Sequence, residues 1–294
     1  MTRPFRFGLG KLEAPGDAAH WEKVSRDVES QGYDILLVAD HLGLAAPFPP
    51  LVATAATTGL RVGTLVLNAG FYHPPLLARE IATVDRLTGG RLEIGLGTGY
   101  SHPEFAALGL DPGTPKDRVD TLEATLGALR AILDSPEAQP APVQSPLPLL
   151  IAGNGNRVLR IAAEQADIVG FIGMRYDPTA FSGLRPISEA EFAGRVAAFE
   201  EYAGDRADRV ERNLLLQAVV VTDDRDAAIS HIQATQLPIP REELERSPLL
   251  LIGSVQQIID RIQELRDRYG LSYFTVMDAH QEAFAPVVEA LRGA

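Results

Sequence analysis

The chain has no cysteine among its 294 residues, and this absence removes several kinds of chemistry at once. Without cysteine there are no disulfides, no thiolate nucleophile and no cysteine-ligated metal. The six histidines are scattered singly, without the HExxH-type spacing of a zinc site, and neither a G-x-S-x-G element nor a P-loop is present. The sequence therefore predicts no metal centre, no serine-hydrolase chemistry and no P-loop nucleotide site.

Basic residues and long apolar runs are also scarce. Lys and Arg number 27 against 39 Asp and Glu, which gives a formal net charge of −12 and disfavours broad binding to nucleic acids or anionic membranes. No run of about 18 apolar residues predicts a transmembrane helix, and residues 1–7 lack the apolar stretch of a signal peptide. We therefore expect a cytoplasmic protein that acts on a small molecule, with no nucleic-acid or membrane partner.

What the chain does contain is a regular alternation of short apolar runs and amphipathic stretches, which is typical of βα units. A doubly wound sheet would alternate too, but eight units without a break in composition favour an α/β fold with one (β/α)8 TIM barrel over residues 1–294. Long connections are predicted to lie over the C-terminal mouth, where barrels keep their active sites. The predicted strands are 5–10, 35–39, 61–67, 91–97, 149–152, 168–172, 214–221 and 273–277, and the long connections are 98–115, 173–188 and 236–250.

Candidate chemistry follows the second and third predicted strands. Asp40 and His41 come just past the second strand, where an imidazole beside a carboxylate is suited to proton transfer; the alternative is a histidine that caps the strand by hydrogen bonds. The segment 63–75, GTLVLNAGFYHPP, runs from an apolar strand into small residues and a helix-starting proline. On its own this second segment indicates a βα turn rather than a site.

Two glycine-rich segments follow the fourth and fifth predicted strands. GLGTGYS at 95–101 is similar to a dinucleotide fingerprint, but the last glycine of G-x-G-x-x-G is missing and no helix opens directly behind it, so a Rossmann fold is not predicted. Its glycines would let a flat ring approach the backbone. IAGNGNR at 151–157 leads into a helix N-terminus with an arginine, which suits a phosphate, although an ordinary helix cap explains it equally well.

Taken together and in this order, the four segments resemble the luciferase-like monooxygenase superfamily of flavin-dependent monooxygenases and deazaflavin (coenzyme F420)-dependent oxidoreductases. The most specific parts are LLVADHLG, VGTLVLNAGFYHPPLLAREIATVDRLTGGRLEIGLGTGY and LIAGNGNRVLRIAAEQAD. Within the superfamily the chain is most similar to the short actinobacterial members that use F420. The resemblance spans nearly the whole chain and implies a TIM barrel with a flavin-type cofactor at its C-terminal mouth.

The resemblance also implies roles for particular residues. Asp40 and His41 match the acidic-histidine pair beside the reactive ring, with His41 as the proton-transfer residue. The family's bulge in the third strand, which supports one ring face, implies a non-proline cis peptide between Leu65 and Val66. The implied cofactor contacts are Leu65, Val66, Asn68, Thr98 and Gly99, with Asn154, Gly155, Asn156 and Arg157 as the phosphate-binding loop. By position at strand ends, the candidate pocket residues are Leu9, Lys11, Phe71, Tyr100, Met174 and Asp278.

One departure from the family pattern bears on the substrate. Sugar-phosphate dehydrogenases of the superfamily carry a glutamate directly after the Thr-Gly turn, where this chain has Tyr100, and the aromatic residue that follows their histidine is not evident in 42–46. This disfavours oxidation of sugar phosphates or simple alcohols and leaves open reduction of an activated double bond or imine, or flavin monooxygenation.

Three functions stay open at the level of sequence. The first is F420-dependent hydride transfer to or from a small organic substrate. The second is an FMN-dependent monooxygenase that takes reduced flavin from a partner reductase and uses O2, and the third is a non-catalytic flavin-binding barrel. From the resemblance we also expect a homodimer.

Overall fold

Eight barrel positions are filled by parallel strands in the computed structural model, which describes residues 3–12, 16–176, 184–235 and 239–294. The strands are β1 (Arg6–Lys11), β2 (Ile35–Val38), β3 (Arg61–Thr64), β4 (Leu67–Asn68), β5 (Leu92–Gly97), β6 (Leu149–Ala152), β7 (Ile168–Phe171), β8 (Met174–Tyr176), β9 (Leu184–Pro186), β10 (Glu211–Leu215), β11 (Ala218–Val221), β12 (Leu250–Gly253) and β13 (Tyr273–Met277). The barrel order is β3-β2-β1-β13-β10-β7-β6-β5, with β4 continuing β3 along β5. Direct pairing of β3 with β5 closes the ring, which confirms the predicted TIM barrel.

Helices surround the barrel and follow its strands. They are α1 (Ala18–Ser30), α2 (Phe48–Thr57), α3 (Pro74–Leu87), α4 (His102–Ala107), α5 (Pro115–Leu133), α6 (Asn156–Gln165), α7 (Glu189–Ala203), α8 (Arg225–Thr235), α9 (Arg241–Arg246), α10 (Val255–Tyr269) and α11 (Gln281–Leu291). Three single turns of 3-10 helix cover Ala69–Phe71, Gly204–Arg206 and Asp278–His280. Within the described ranges, no helix combines the length and apolarity that a membrane crossing requires.

Alternation along the strands separates two cores. In β1, Phe7 and Leu9 are fully buried in the large cluster between the barrel and its helices. Their neighbour Gly8 turns inward, because a side chain there would meet Tyr273, Thr275 and Ile35. The inner cluster is small and consists of Ile35, Leu37, Leu150, Ala152, Ile168 and Tyr273, with Leu65, Val66 and Ile172 half-buried against it.

The seventh predicted strand, 214–221, is two strands in the structure. The barrel strand β10 ends at Leu215, and β11 then pairs with β12 in a separate two-stranded parallel sheet. The chain changes partners at the residues between them: the Leu216 N–H donates to the Thr275 carbonyl, whereas the Gln217 N–H donates to the Leu249 carbonyl. The apolar run 214–221 is continuous in sequence, so it gives no sign that the chain leaves the barrel for a second sheet.

The long connections contain more regular structure than was predicted. The connection 98–115 includes α4, 173–188 includes β8 and β9, and 236–250 includes α9. Residues 177–183 and 236–238 of these connections lie outside the described residues. Short helices and strands escape sequence patterns because they are too brief to show a period.

A cluster of two buried carboxylates and two partly buried arginines joins four strands at the N-terminal end of the barrel. Arg6 of β1 donates to Glu93 of β5 at 2.6 Å and to Glu211 of β10 at 2.5 Å. Arg61 of β3 also reaches Glu93, at 2.6 Å, and the Arg6 guanidinium lies 4.5 Å from the centre of the Tyr273 ring. Burial raises the pKa of Glu211, although Arg6 lowers it again in part. This end of the barrel is therefore closed by ion pairs, and the opposite end is left for a site.

Candidate functional site

The C-terminal strand ends bring most of the predicted site residues to one mouth. Asp40 and His41 follow β2, Leu65 and Val66 lie between β3 and β4, and Thr98 and Gly99 follow β5. The loop 153–155 connects β6 to α6, and Asp278 follows β13. Since all barrel strands are parallel, these segments share the mouth where TIM barrels place their chemistry.

His41 lies at the rim with its ring held from two sides. Its Nδ1 atom is 2.8 Å from Oε1 of Glu104, which comes from α4. The Tyr100 ring packs edge-on against the imidazole, with 5.7 Å between ring centres. The His41 side chain remains 31% exposed, so it is supported by the protein and still accessible from the mouth.

Asp40 has different contacts from those of the neighbouring His41. Its Oδ2 atom accepts a hydrogen bond from the Asn68 N–H at 3.0 Å, and the Tyr72 hydroxyl lies beside the same carboxylate. Burial raises the pKa of Asp40, while the Asn68 N–H and the Tyr72 hydroxyl oppose that change. The carboxylate therefore ties the end of β2 to the start of the 3-10 turn after β4.

The predicted bulge in the third strand is present and rests on glycines. The peptide bond between Leu65 and Val66 is cis, as the resemblance led us to expect. A Cβ atom at Gly95 would come 2.1 Å from the Thr64 carbonyl oxygen, and one at Gly97 would come 2.8 Å from a methyl group of Val66. The glycines of β5 are thus required by the bulge itself, which forms a half-buried apolar floor at the top of the inner core.

Asn68 and Gly99 fit together behind this floor. Asn68 is 6% exposed, and its side-chain oxygen accepts the Gly70 N–H at 3.0 Å. Gly99 has φ of 68°, and a Cβ atom there would come 2.2 Å from the Asn68 amide nitrogen. The turn that contains Thr98 and Gly99 therefore packs directly against the Asn68 side chain. Both the positive φ and this close approach require glycine at position 99.

The predicted phosphate loop ends at the N-terminus of α6. Gly155 is the N-cap residue, no side chain caps the helix, and a Cβ atom at Gly155 would meet open space. Asn154 donates to the Met174 carbonyl and accepts the Gly173 N–H, so it joins this loop to β8. An uncapped helix N-terminus that opens to space is suited to an anion.

The arginine of this loop is engaged elsewhere. Arg157 makes contacts of 2.5 Å with both Asp120 and Glu123 of α5. The guanidinium beside Asn156 belongs instead to Arg195 of α7, which donates to the Asn156 side-chain oxygen at 2.7 Å. Arg195 also lies close enough to Glu191, one helical turn earlier, to lower the pKa of that carboxyl group. Sequence reasoning missed this cation because Arg195 lies 39 positions after Asn156, beyond the strands β7, β8 and β9.

The six predicted pocket residues do not all lie at the mouth. Leu9 was misplaced, because alternation along β1 points its side chain outward into the helix-facing core. Lys11 and Asp278 lie together at the rim, with 3.4 Å between Nζ and Oδ2. Phe71 is half-buried and packs against Phe105, at 5.1 Å between ring centres. Of the remaining two, Tyr100 covers His41, and Met174 packs against the outer core while its carbonyl accepts from Asn154.

Glu104 is the residue that sequence reasoning missed at the mouth. A usable signal existed: Ser101 and Glu104 form the S-x-x-E pattern that predicts a capping box at a helix start. The helix does start there, but without a side-chain cap, and the Glu104 carboxylate binds His41 instead. The arrangement as a whole offers an apolar floor, a supported imidazole and an anion-ready helix terminus, which can hold a flat, phosphorylated ring beside a proton-transfer group.

Comparison with known proteins agrees with this geometry. The luciferase-like monooxygenase family matches residues 4–272. The chain is 34% identical over 167 residues to an F420-dependent glucose-6-phosphate dehydrogenase of Beutenbergia cavernae, a match that covers 49% of each protein. It is 28% identical over 243 residues to the pyrimidine monooxygenase RutA of Cronobacter turicensis, covering 76% of this chain and 56% of the relative.

A solved structure is similar over almost the entire chain. An F420-dependent secondary alcohol dehydrogenase in complex with an F420-acetone adduct superimposes with a TM-score of 0.78 at 16% identity, covering 99% of this chain and all of the other. Identity at that level shows the fold alone. The matched regions span between a quarter and about half of the length of the first curated relatives. From the extent of the family match, the chain belongs to the luciferase-like monooxygenase family.

Proposed function

We propose that this protein is an F420-dependent oxidoreductase that transfers a hydride to or from a small organic substrate at the barrel mouth. The observation that carries the proposal is the His41 imidazole, held by Glu104 at the rim of the apolar floor that Leu65 and Val66 form. The relative from Beutenbergia cavernae, whose name states F420 dependence, supports the choice of cofactor.

The residues at the mouth fit a flavin-type cofactor. The half-buried pair Leu65 and Val66 offers an apolar face for a flat ring. Gly155 faces open space at an uncapped helix N-terminus, where the backbone N–H groups of 155–157 would receive a phosphate, with Arg195 as the nearby cation. When bound, deazaflavin supplies the hydride chemistry.

The protein's own contribution is to bind and orient the cofactor and the substrate, and to exchange a proton with the substrate. His41 would stabilise or protonate the negative charge that develops when a polarised substrate accepts a hydride. Asp40 would keep the floor in position through the Asn68 N–H. Tyr100 shields the imidazole on one side, which limits access of water to the ring.

A second candidate is an FMN-dependent monooxygenase supplied with reduced flavin by a partner reductase. The relative RutA favours it, because this monooxygenase matches 76% of the chain. The same floor, phosphate loop and imidazole would serve FMN.

The two candidates differ in their need for oxygen. We expect the purified protein to catalyse anaerobic oxidation of reduced F420 with activated alkenes or imines, and not to consume O2 with reduced FMN and the same compounds. Oxygen uptake coupled to product formation with reduced FMN, together with no anaerobic F420 activity, would establish the monooxygenase instead.

A further inference from the structure

We infer that Glu104 is the positioning residue of His41: it holds the imidazole as the tautomer with the proton on Nδ1, which leaves Nε2 as the basic nitrogen. The inference rests on the proton transfer proposed above for His41, but its central observation is the contact of 2.8 Å between Nδ1 and Oε1. A carboxylate oxygen can only accept a hydrogen bond, so in this contact the neutral ring carries its proton on Nδ1.

Glu104 is anchored well enough to impose this choice. Phe105, the next residue of α4, is 2% exposed and packs against Phe71. A side chain at Gly70 would come 2.8 Å from the Phe105 ring, so Gly70 provides the space that the ring occupies. The short helix is thereby locked onto the 3-10 turn after β4, and the Glu104 side chain is only 17% exposed. A restrained carboxylate orients its partner at a smaller entropy cost than a free one.

The Glu104 carboxylate does not form the capping box that its local sequence predicts. In a capping box, the glutamate of S-x-x-E bonds back to the N–H of the N-cap residue. Here Ser101 has no side-chain cap and Glu104 contacts His41, whereas Asp40, the carboxylate adjacent in sequence, is held by Asn68. The partner that orients His41 therefore lies 63 positions along the chain rather than next to it.

The tautomer can be measured directly in the protein without cofactor. Nitrogen-15 chemical shifts of the His41 ring distinguish Nδ1–H from Nε2–H and are read on the alkaline plateau, where the imidazole is neutral. We expect Nδ1–H in the wild-type protein and in Glu104→Gln, which keeps an acceptor oxygen, and a shift towards Nε2–H in Glu104→Ala. Glu137→Ala, which removes an exposed carboxylate from the chain segment after α5, serves as the charge-matched control and should retain Nδ1–H.

A kinetic readout separates positioning from mere structural support. With active holoenzyme, Glu104→Ala should lower kcat by about 10–100-fold while cofactor affinity stays within about twofold, and Glu104→Gln should recover part of the loss. An Nε2–H ring in the wild-type protein, or an unchanged tautomer in Glu104→Ala, would overturn the inference. Because the nitrogen shifts need no cofactor, a failed F420 titration would refute the proposed function and leave the positioning role intact.

Discussion

His41 and Asp40 are adjacent in the chain, but their side chains serve different parts of the site. His41 meets Glu104 and Tyr100 at the rim, whereas Asp40 holds the backbone beneath the floor through Asn68. The acidic-histidine pair implied by the resemblance therefore has two separate sets of contacts, one at the rim of the mouth and one that supports the backbone of the floor. Whether His41 is the proton-transfer residue stays a prediction.

Replacing His41 tests that prediction at the scale of a single residue. His41→Asn should reduce the single-turnover rate by about 10²–10⁴-fold, because general acid–base catalysis is lost. Melting temperature and cofactor affinity should stay near wild-type values, since the ring is partly exposed and outside the hydrophobic cores. A variant that binds cofactor normally and reacts at the wild-type rate would refute the assignment.

At the scale of secondary-structure elements, the N-terminus of α6 is the candidate anion site. The helix supplies uncapped N–H groups, and α7 supplies Arg195, which donates a hydrogen bond to the neutral Asn156 side chain. Arg157, the arginine predicted from the sequence, is neutralised by two carboxylates of α5. The phosphate position remains a prediction, but these contacts shift its expected cation from α6 to α7.

The two arginines form a matched pair for testing this site. Arg195→Ala should weaken F420 binding roughly tenfold, because a charge-assisted contact of about 1.5–3 kcal/mol is lost. Arg157→Ala should have the smaller effect on affinity, since its guanidinium already serves Asp120 and Glu123. Fluorescence titration of both variants decides the matter, and the reverse order of effects would restore Arg157 as the phosphate ligand.

The start of α7 offers a test that concerns stability alone. Ser188 and Glu191 form a reciprocal capping box, in which the Ser188 N–H and hydroxyl lower the pKa of Glu191. Ser188→Ala should cost about 0.5–2 kcal/mol of unfolding free energy, measured by urea denaturation.

The pH dependence of this effect has a definite sign. A lowered pKa in the folded state means that the contribution is complete above the pKa of Glu191 in the unfolded chain and disappears as pH falls through the lower folded value. The difference between wild type and Ser188→Ala should therefore shrink in acid. A difference that grows as pH falls would contradict this reading of the cap.

At the scale of the whole molecule, the barrel is closed by charge at one end and left open at the other. Arg6, Arg61, Glu93 and Glu211 come from four strands and meet at the N-terminal end. Removing one member of a buried ion pair leaves an uncompensated charge, which is costly in a low-dielectric interior. The cluster therefore contributes to the integrity of the barrel more than to its chemistry.

Glu93→Gln should accordingly destabilise the protein by about 3–5 kcal/mol. The control is Asp27→Asn, which breaks the exposed pair of Lys23 and Asp27 on α1 and should cost less than about 0.5 kcal/mol. Denaturant unfolding of the two variants provides the measurement. Equal losses would show that the cluster is no more important than a surface pair.

The barrel was predictable from the sequence, whereas the contacts of the site were not. Alternating apolar runs reveal strands and their order, and strand ends identify the mouth, so the position of His41 follows from local pattern, whereas the bulge was expected only from the family resemblance. The partners Glu104 and Arg195 depend on how loops and helices fold back over the mouth. Leu9 was misplaced because a strand-end position does not tell which way a side chain points, which alternation along the folded strand decides.

The central claim is that the mouth of this barrel binds deazaflavin for hydride transfer. The most direct measurement is a parallel fluorescence titration of the purified protein with oxidised F420 and with FMN under identical conditions. Saturable F420 binding at least about tenfold tighter than FMN binding, a difference of about 1.4 kcal/mol, is the predicted result. Tighter binding of FMN, or no saturable binding of either compound, would contradict the account.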